Sequence, residues 1–200
     1  GCFYVESPAM RMLMRKLQVD DYLGLVAASS VIRPGVSRSG MMQAYIERHR
    51  DPAKRADAHP VLLHLMPETY GVMVYQEDVI KVAHRFAGLD LGEADVLRRG
   101  MSGKFRSREE FDRARDAFHT KAVTKGHAPD MVREVWRQME SFAGYAFAKG
   151  HSASYAVESY QSLFLKVHFP IEYMCACINN FGGFYLSLIH ISEPTRRYLI

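Results

Sequence analysis

Helix-start signals recur along this chain, and apolar residues at helical spacing follow most of them. Ser7-Pro8 supplies a cap and a first-turn proline ahead of Met10, Leu13, Met14 and Leu17. Ser107-Arg108-Glu109-Glu110 is a capping box before Phe111, Ala114, Phe118 and Ala122, and Gly126 closes that run. Pro129 opens another run with Met131, Val132, Val135, Trp136 and Met139, in which Trp136 is read as a core anchor. Strand-like character is confined to two short pieces, residues 1–6 and 69–76. A chain punctuated this way buries its apolar side chains by packing helices. The expected fold is therefore mostly α, an irregular helical domain with one or two short extended segments.

The remaining elements fit that frame. Asp20 and Asp21 open a helix running to residue 29, and as cap and dipole partners they need no chemistry. Arg33-Pro34-Gly35 is a turn, Ser39-Gly40 starts the next helix, and residues 51–58 read as an exposed polar linker. A helix over residues 77–86 places Val79, Val82, Ala83 and Phe86 inward, with Gly88 as its closing residue. Residues 91–100 form a short helix with acids in its first turn and Arg98-Arg99 in its last, a polarity that suits the macrodipole.

Two hundred residues suffice for one core. A formal charge of +4 permits nucleic-acid binding without requiring it. Three cysteines, Cys2, Cys175 and Cys177, make no disulfide framework, which points to a reducing cytoplasm. The Cys175-x-Cys177 pair lacks zinc-ligand spacing and reads as packing. No apolar run reaches membrane-spanning length, and no membrane partner is expected. The chain begins at Gly1 without Met and reads as a piece of something longer.

Two stretches carry candidate chemistry. In residues 142–166, a segment rich in Gly, small residues and aromatics gives way at Lys149-Gly150-His151-Ser152 to a helix from about residue 152, with Ala156, Leu163 and Val167 as its apolar positions. Ser152 is an N-cap candidate there, and the unpaired amides of a helix start can hold an anion beside the Lys149 charge. A capped core helix preceded by a turn is the other reading. The second stretch carries Arg98, Arg99, Lys104, Arg106 and Arg108 with no acid among them. Paired arginines are forks for phosphate oxygens, although a solvated basic face has the same composition. Arg33 and Arg38, in the Gly/Ser turn, are weaker phosphate or DNA candidates.

Several motifs together carry a family resemblance. They are Gly1-Cys2-Phe3-Tyr4-Val5-Glu6-Ser7, Arg33-Pro34-Gly35 with Ser39-Gly40-Met41, Tyr70-Gly71-Val72-Met73-Val74-Tyr75-Gln76-Glu77, Gly92-Glu93-Ala94-Asp95-Val96-Leu97-Arg98-Arg99, and the 142–166 stretch. In this order, residues 1–185 resemble the fingers region of the C-family replicative DNA polymerases, the alpha subunits of bacterial DNA polymerase III. The resemblance implies transfer of nucleotides from deoxynucleoside triphosphates to a primer 3′ end on template DNA. It further implies that Arg98 and Arg99 meet the triphosphate and that His151 lies near the sugar. By the same likeness Tyr75 and Gln76 border the pocket, and Lys104 matches a basic position close to it; Lys149 and Ser152 are nucleotide-binding candidates from the helix start itself. Other replicase subunits, the sliding clamp among them, are the implied protein partners. The family more often has Ala than Gly at position 100, and its residues at 148 and 150 also vary among small types.

Phosphoryl transfer of this kind uses two metal ions, Mg2+ in the intact enzyme, held by clustered carboxylates. Asp20/Asp21, Asp90/Asp95 and Glu109/Glu110 each have a capping, dipole or surface explanation, and no Asp-x-Asp occurs. The resemblance places the metal aspartates in a palm preceding Gly1, so no catalytic or metal residue is expected here. The isolated chain is expected to be inactive, and primer extension by it would contradict that expectation. A non-catalytic helical module binding nucleic acid through residues 98–108 is the rival reading, and a helical scaffold with its charges on separate faces is a third. Residues 186–200 resemble the in-frame translation of a sequencing-library adapter and are expected to be a non-native tail.

Overall fold

The computed structural model describes residues 1–32, 39–101, 103, 107–141 and 148–182. Its helices in chain order are α1 (Pro8–Leu17), α2 (Tyr22–Val31), α3 (Met41–Arg50), α4 (Pro60–Leu65) and α5 (Gln76–Lys81). They continue with α6 (Leu91–Met101), α7 (Arg108–Thr124), α8 (Pro129–Glu140), α9 (Lys149–His168) and α10 (Pro170–Asn179). Among the described residues there is no β-strand. Residues 1–6, expected to be extended, instead form turns, with the Val5 amide donating to the Phe3 carbonyl at 2.7 Å. Residues 72–75 run in open coil between a short 3-10 turn (Pro67–Thr69) and α5. The expected linker forms a 3-10 turn of its own, Pro52–Asp57, with Asp51 as its cap.

The local signals act where they were read. Ser7 Oγ accepts from the Met10 amide at 3.2 Å, Asp21 Oδ1 from Gly24 at 2.6 Å, and Ser107 Oγ from Glu110 at 3.3 Å. The chain folds as two compact units, residues 1–29 with those from 150 onward, and residues 30–149.

In the first unit, α1 buries Met10, Leu13 and Leu17. The N-terminal turns lie along α9. Ser159 Oγ donates to the Phe3 carbonyl at 3.1 Å, Ser162 Oγ accepts from the Phe3 amide at 3.1 Å, and the Tyr155 ring meets Phe3 edge-on at 5.4 Å. Small side chains on α9 permit that close approach: Ser152, Ala156 and Ser159 are its buried residues. From α10, Tyr173 donates to the Gly1 carbonyl, and Cys177 is buried while Cys175 faces solvent. Only one of the Cys-x-Cys pair therefore packs, because residues two apart lie on nearly opposite sides of a helix.

In the second unit the core gathers around Phe86 and Phe118, both fully buried, with Leu97, Val79, Val82 and Met139. His127 stacks on Phe86 at 4.0 Å, and Trp136 packs on Phe118 at 5.3 Å while its Nε1 donates to Glu140 at 2.7 Å. The helix after Tyr75 is α only as far as Lys81. It widens into a π turn, Val82–Ala87, and ends at Gly88 with φ +87°, where a side chain would be strained. Lys121 bridges from α7 to Glu93 of α6 at 2.6 Å. Gly100 closes α6 against α7, since a Cβ there would lie 2.2 Å from the Phe111 ring. The alanine that the family resemblance puts at this position would require that ring to turn away.

Candidate functional site

At its start α6 carries a reciprocal cap. Asp90 Oδ1 accepts from the Glu93 amide at 2.8 Å, and Glu93 Oε2 accepts from the Asp90 amide at 2.9 Å. The helix buries Ala94, Leu97 and Met101, which leaves Arg98 and Arg99 on its flank, 25% and 29% exposed. One carboxylate serves both. Arg98 Nε donates to Asp95 Oδ1 at 2.8 Å, and its Nη2 pairs with the same oxygen at 2.7 Å. Arg99 Nε lies 2.9 Å from Asp95 Oδ2, close enough for Coulombic pairing but without the alignment of a hydrogen bond. Asp95 reads in the sequence as a dipole partner, and its role as the common counterion of both arginines follows from i,i+3 and i,i+4 neighbourhood on the helix. Such half-exposed pairs contribute only a few tenths of a kcal/mol each. A polyphosphate offers more oxygens and more charge to the same two forks than this single carboxylate does.

The second cationic point lies at the start of α9. That helix begins at Lys149 rather than near residue 152, so Ser152 is not its cap; it sits in the first turn, fully buried. The cap comes from far along the chain. Both carboxylate oxygens of Glu77 accept from the Lys149 amide at 3.2 Å. The Lys149 ammonium pairs with Glu68 and lies 5.6 Å from the centre of the Tyr75 ring, within cation–π range. Tyr75 is buried and precedes α5, and Gln76 is the first residue of that helix. The Gln76 Oε1 atom is buried with no hydrogen-bond partner among the described residues. An orphaned buried amide costs about 1–3 kcal/mol, and a ligand group could recover it.

The structure thus joins Lys149 to Tyr75, which Gln76 follows in the chain, and it keeps Arg98 with Arg99 at the end of α6, a helix that packs on α5. His151 is exposed in the first turn of α9 and belongs, with Ser152, to the other unit. Arg108 is exposed at the first position of α7. Arg33, Arg38, Lys104 and Arg106 lie outside the described residues. Among the described residues no group of three or more His, Cys, Asp or Glu side chains could hold a metal ion. Asp95 is committed to arginines and Glu77 to a helix start, so these carboxylates do not fit a two-metal centre.

Asp78 sets the backbone that presents Tyr75. Its buried Oδ2 accepts from the amides of Val74 and Tyr75 at 3.0 and 2.9 Å. Burial raises the Asp78 pKa above the ordinary carboxylate value, outweighing those two amides and the Lys81 ammonium, which lower it. A carboxyl whose pKa is higher in the fold than in the unfolded chain stabilises fully below the unfolded value. That contribution is lost as pH rises through the folded value. Comparing urea midpoints of the native chain and Asp78→Asn from about pH 4 to about pH 7 should show the native chain losing ground to the variant as pH rises. A pH-independent difference would contradict this reading of Asp78.

The fold is thus a helical domain with a guanidinium pair at the end of α6 and, at the start of α9, a lysine over an aromatic ring. The chain belongs to the family of bacterial DNA polymerase III alpha subunit finger domains, whose pattern it matches over residues 1–126. It is 39% identical over 183 residues to the DNA polymerase III subunit alpha of Pasteurella multocida (strain Pm70), covering 89% of this chain and 16% of that protein. To the same subunit of Escherichia coli (strain K12) it is 38% identical over 179 residues, covering 87% and 15%. To that of Aquifex aeolicus (strain VF5) it is 36% identical over 173 residues, covering 86% and 15%. The chain spans about a sixth of the length of these curated relatives.

Proposed function

We propose that this chain is the part of a bacterial replicative DNA polymerase that receives the incoming deoxynucleoside triphosphate. In the intact enzyme, which acts in the cytoplasm, nucleotides pass to a primer 3′ end on template DNA, and the sliding clamp and other replicase subunits are its partners. Mg2+ supplies Lewis-acid chemistry there from carboxylates outside this chain. Arg98, Arg99, Lys149 and Lys104 bind phosphate oxygens, and Tyr75 and Gln76 border the pocket; by the family resemblance alone, His151 borders the sugar. Arg33, Arg38, Arg106 and Arg108 reach phosphates of the triphosphate or of DNA. The carrying observation, within a chain of this family, is that Arg98, Arg99 and Lys149 each rest on a carboxylate, Asp95 or Glu68. A phosphate can take the place of such a partner without repacking a core.

Gln76 gives a test that separates function from packing. If its amide awaits a ligand, Gln76→Leu removes an unpaired buried polar group and leaves the fold as stable or more so. In the complete polymerase carrying this segment, KM for deoxynucleoside triphosphates should then rise roughly three- to tenfold. Raised stability with an unchanged KM would contradict the role. Weakened DNA binding with unchanged nucleotide kinetics would favour the non-catalytic nucleic-acid module. Residues 186–200 are proposed to be non-native, and coding DNA unrelated to an adapter would refute that.

A further inference from the structure

The α9 helix carries a stripe of large apolar side chains that is exposed. Its buried residues are small, Ser152, Ala156 and Ser159, spaced four and three apart on one side. Its large side chains lie elsewhere: Val157 is 43% exposed, Tyr160 59%, Phe164 46% and Val167 59%. Val167, which the sequence pattern puts inside, therefore faces out. These four residues follow one another at intervals of three, four and three, the spacing of a seam that packs lengthwise against a second helix. Ile171, at the start of α10, is 75% exposed. Single exposed apolar side chains need no partner, but a run of this size on one helix does.

We infer that this seam is an interface for a helix from the remainder of the same polypeptide. Three observations favour that occupant. The relatives are about six times as long as the matched segment, so most of such a polypeptide lies outside this chain. A tethered partner acts at an effective concentration that a separate protein rarely reaches. The seam is also bordered by Glu158 and Gln161, and by Glu172 on α10, all exposed, which suits a covering helix with an apolar stripe and neutral or basic flanks. The inference needs the family membership but not the nucleotide-binding roles.

The test is thiol alkylation at a seam position, Tyr160→Cys, in a Cys175→Ser background because Cys175 is exposed. The same substitution is made in the 200-residue chain and in the complete polymerase, with the flank variant Glu158→Cys as a control for general access. Labelling of Tyr160→Cys should be at least tenfold slower in the complete polymerase than in the short chain, whereas the flank variant changes far less. Val167→Cys provides a second seam position should the first variant fold poorly. Equal labelling in the two proteins would overturn the inference. Protection in the short chain that disappears on dilution would overturn it as well, since the seam would then be closed by a second copy.

Discussion

In the complete polymerase carrying this segment, Arg98→Ala or Arg99→Ala should lower kcat/KM for every deoxynucleoside triphosphate roughly ten- to a hundredfold. Each variant loses charge-assisted contacts worth about 1.5–3 kcal/mol. The fold should barely notice, because each guanidinium is only partly buried and its described ion-pair partner is Asp95, one turn back on the same helix. Exposed pairs of that geometry contribute a few tenths of a kcal/mol to a helix. Kinetics and stability therefore separate the two explanations of the arginine pair. Unchanged nucleotide kinetics with a lowered Tm would mean that the arginines only complete α6.

Phe118→Ala should do the opposite. Phe118 is fully buried, 6.3 Å from the Phe86 ring and 5.3 Å from Trp136, where α7, α8 and the π turn meet. Truncating a phenylalanine in such a place costs about 3–5 kcal/mol, from lost transfer energy and from the cavity left behind. Urea unfolding of the chain should show that loss. Phe111 is only half-buried, and Phe111→Ala should cost clearly less. A loss at Phe118 below about 1 kcal/mol would mean that the core is not centred on this pair of rings.

Local signals made most of the fold legible. Ser7, Asp21 and Ser107 cap helices through amides three residues away, a distance at which sequence determines geometry. The helical spacing of Val132, Val135, Trp136 and Met139 likewise translated into a buried face. Errors arose where the deciding partner is distant. Ser152 has the chemistry of a cap, yet α9 starts earlier because Glu77, 72 residues away, caps Lys149. Residues 1–6 have strand-like composition, but with no neighbouring strand among the described residues their backbone closes into turns against α9. Val167 falls on nearly the same side of α9 as Ala156, eleven residues on, yet is exposed, since the stripe of buried small residues ends at Ser159.

Candidate site residues divide in the same way. Arg98 and Arg99 could be read directly, being adjacent and at a helix end. Asp95 as their common partner could have been found from its spacing to each of them. The contact between Lys149 and Tyr75, by contrast, joins segments some seventy residues apart, and no local pattern announces it. Nor does any pattern reveal that the Gln76 Oε1 atom has no hydrogen-bond partner among the described residues.

The central claim is that the guanidinium pair of α6 exchanges its aspartate for the phosphates of a nucleotide. A structure of the complete polymerase with primer–template DNA and an incoming deoxynucleoside triphosphate measures this directly. Terminal nitrogens of Arg98 and Arg99 about 3 Å from phosphate oxygens would be the predicted result. A triphosphate bound elsewhere, with both arginines still on Asp95, would contradict it.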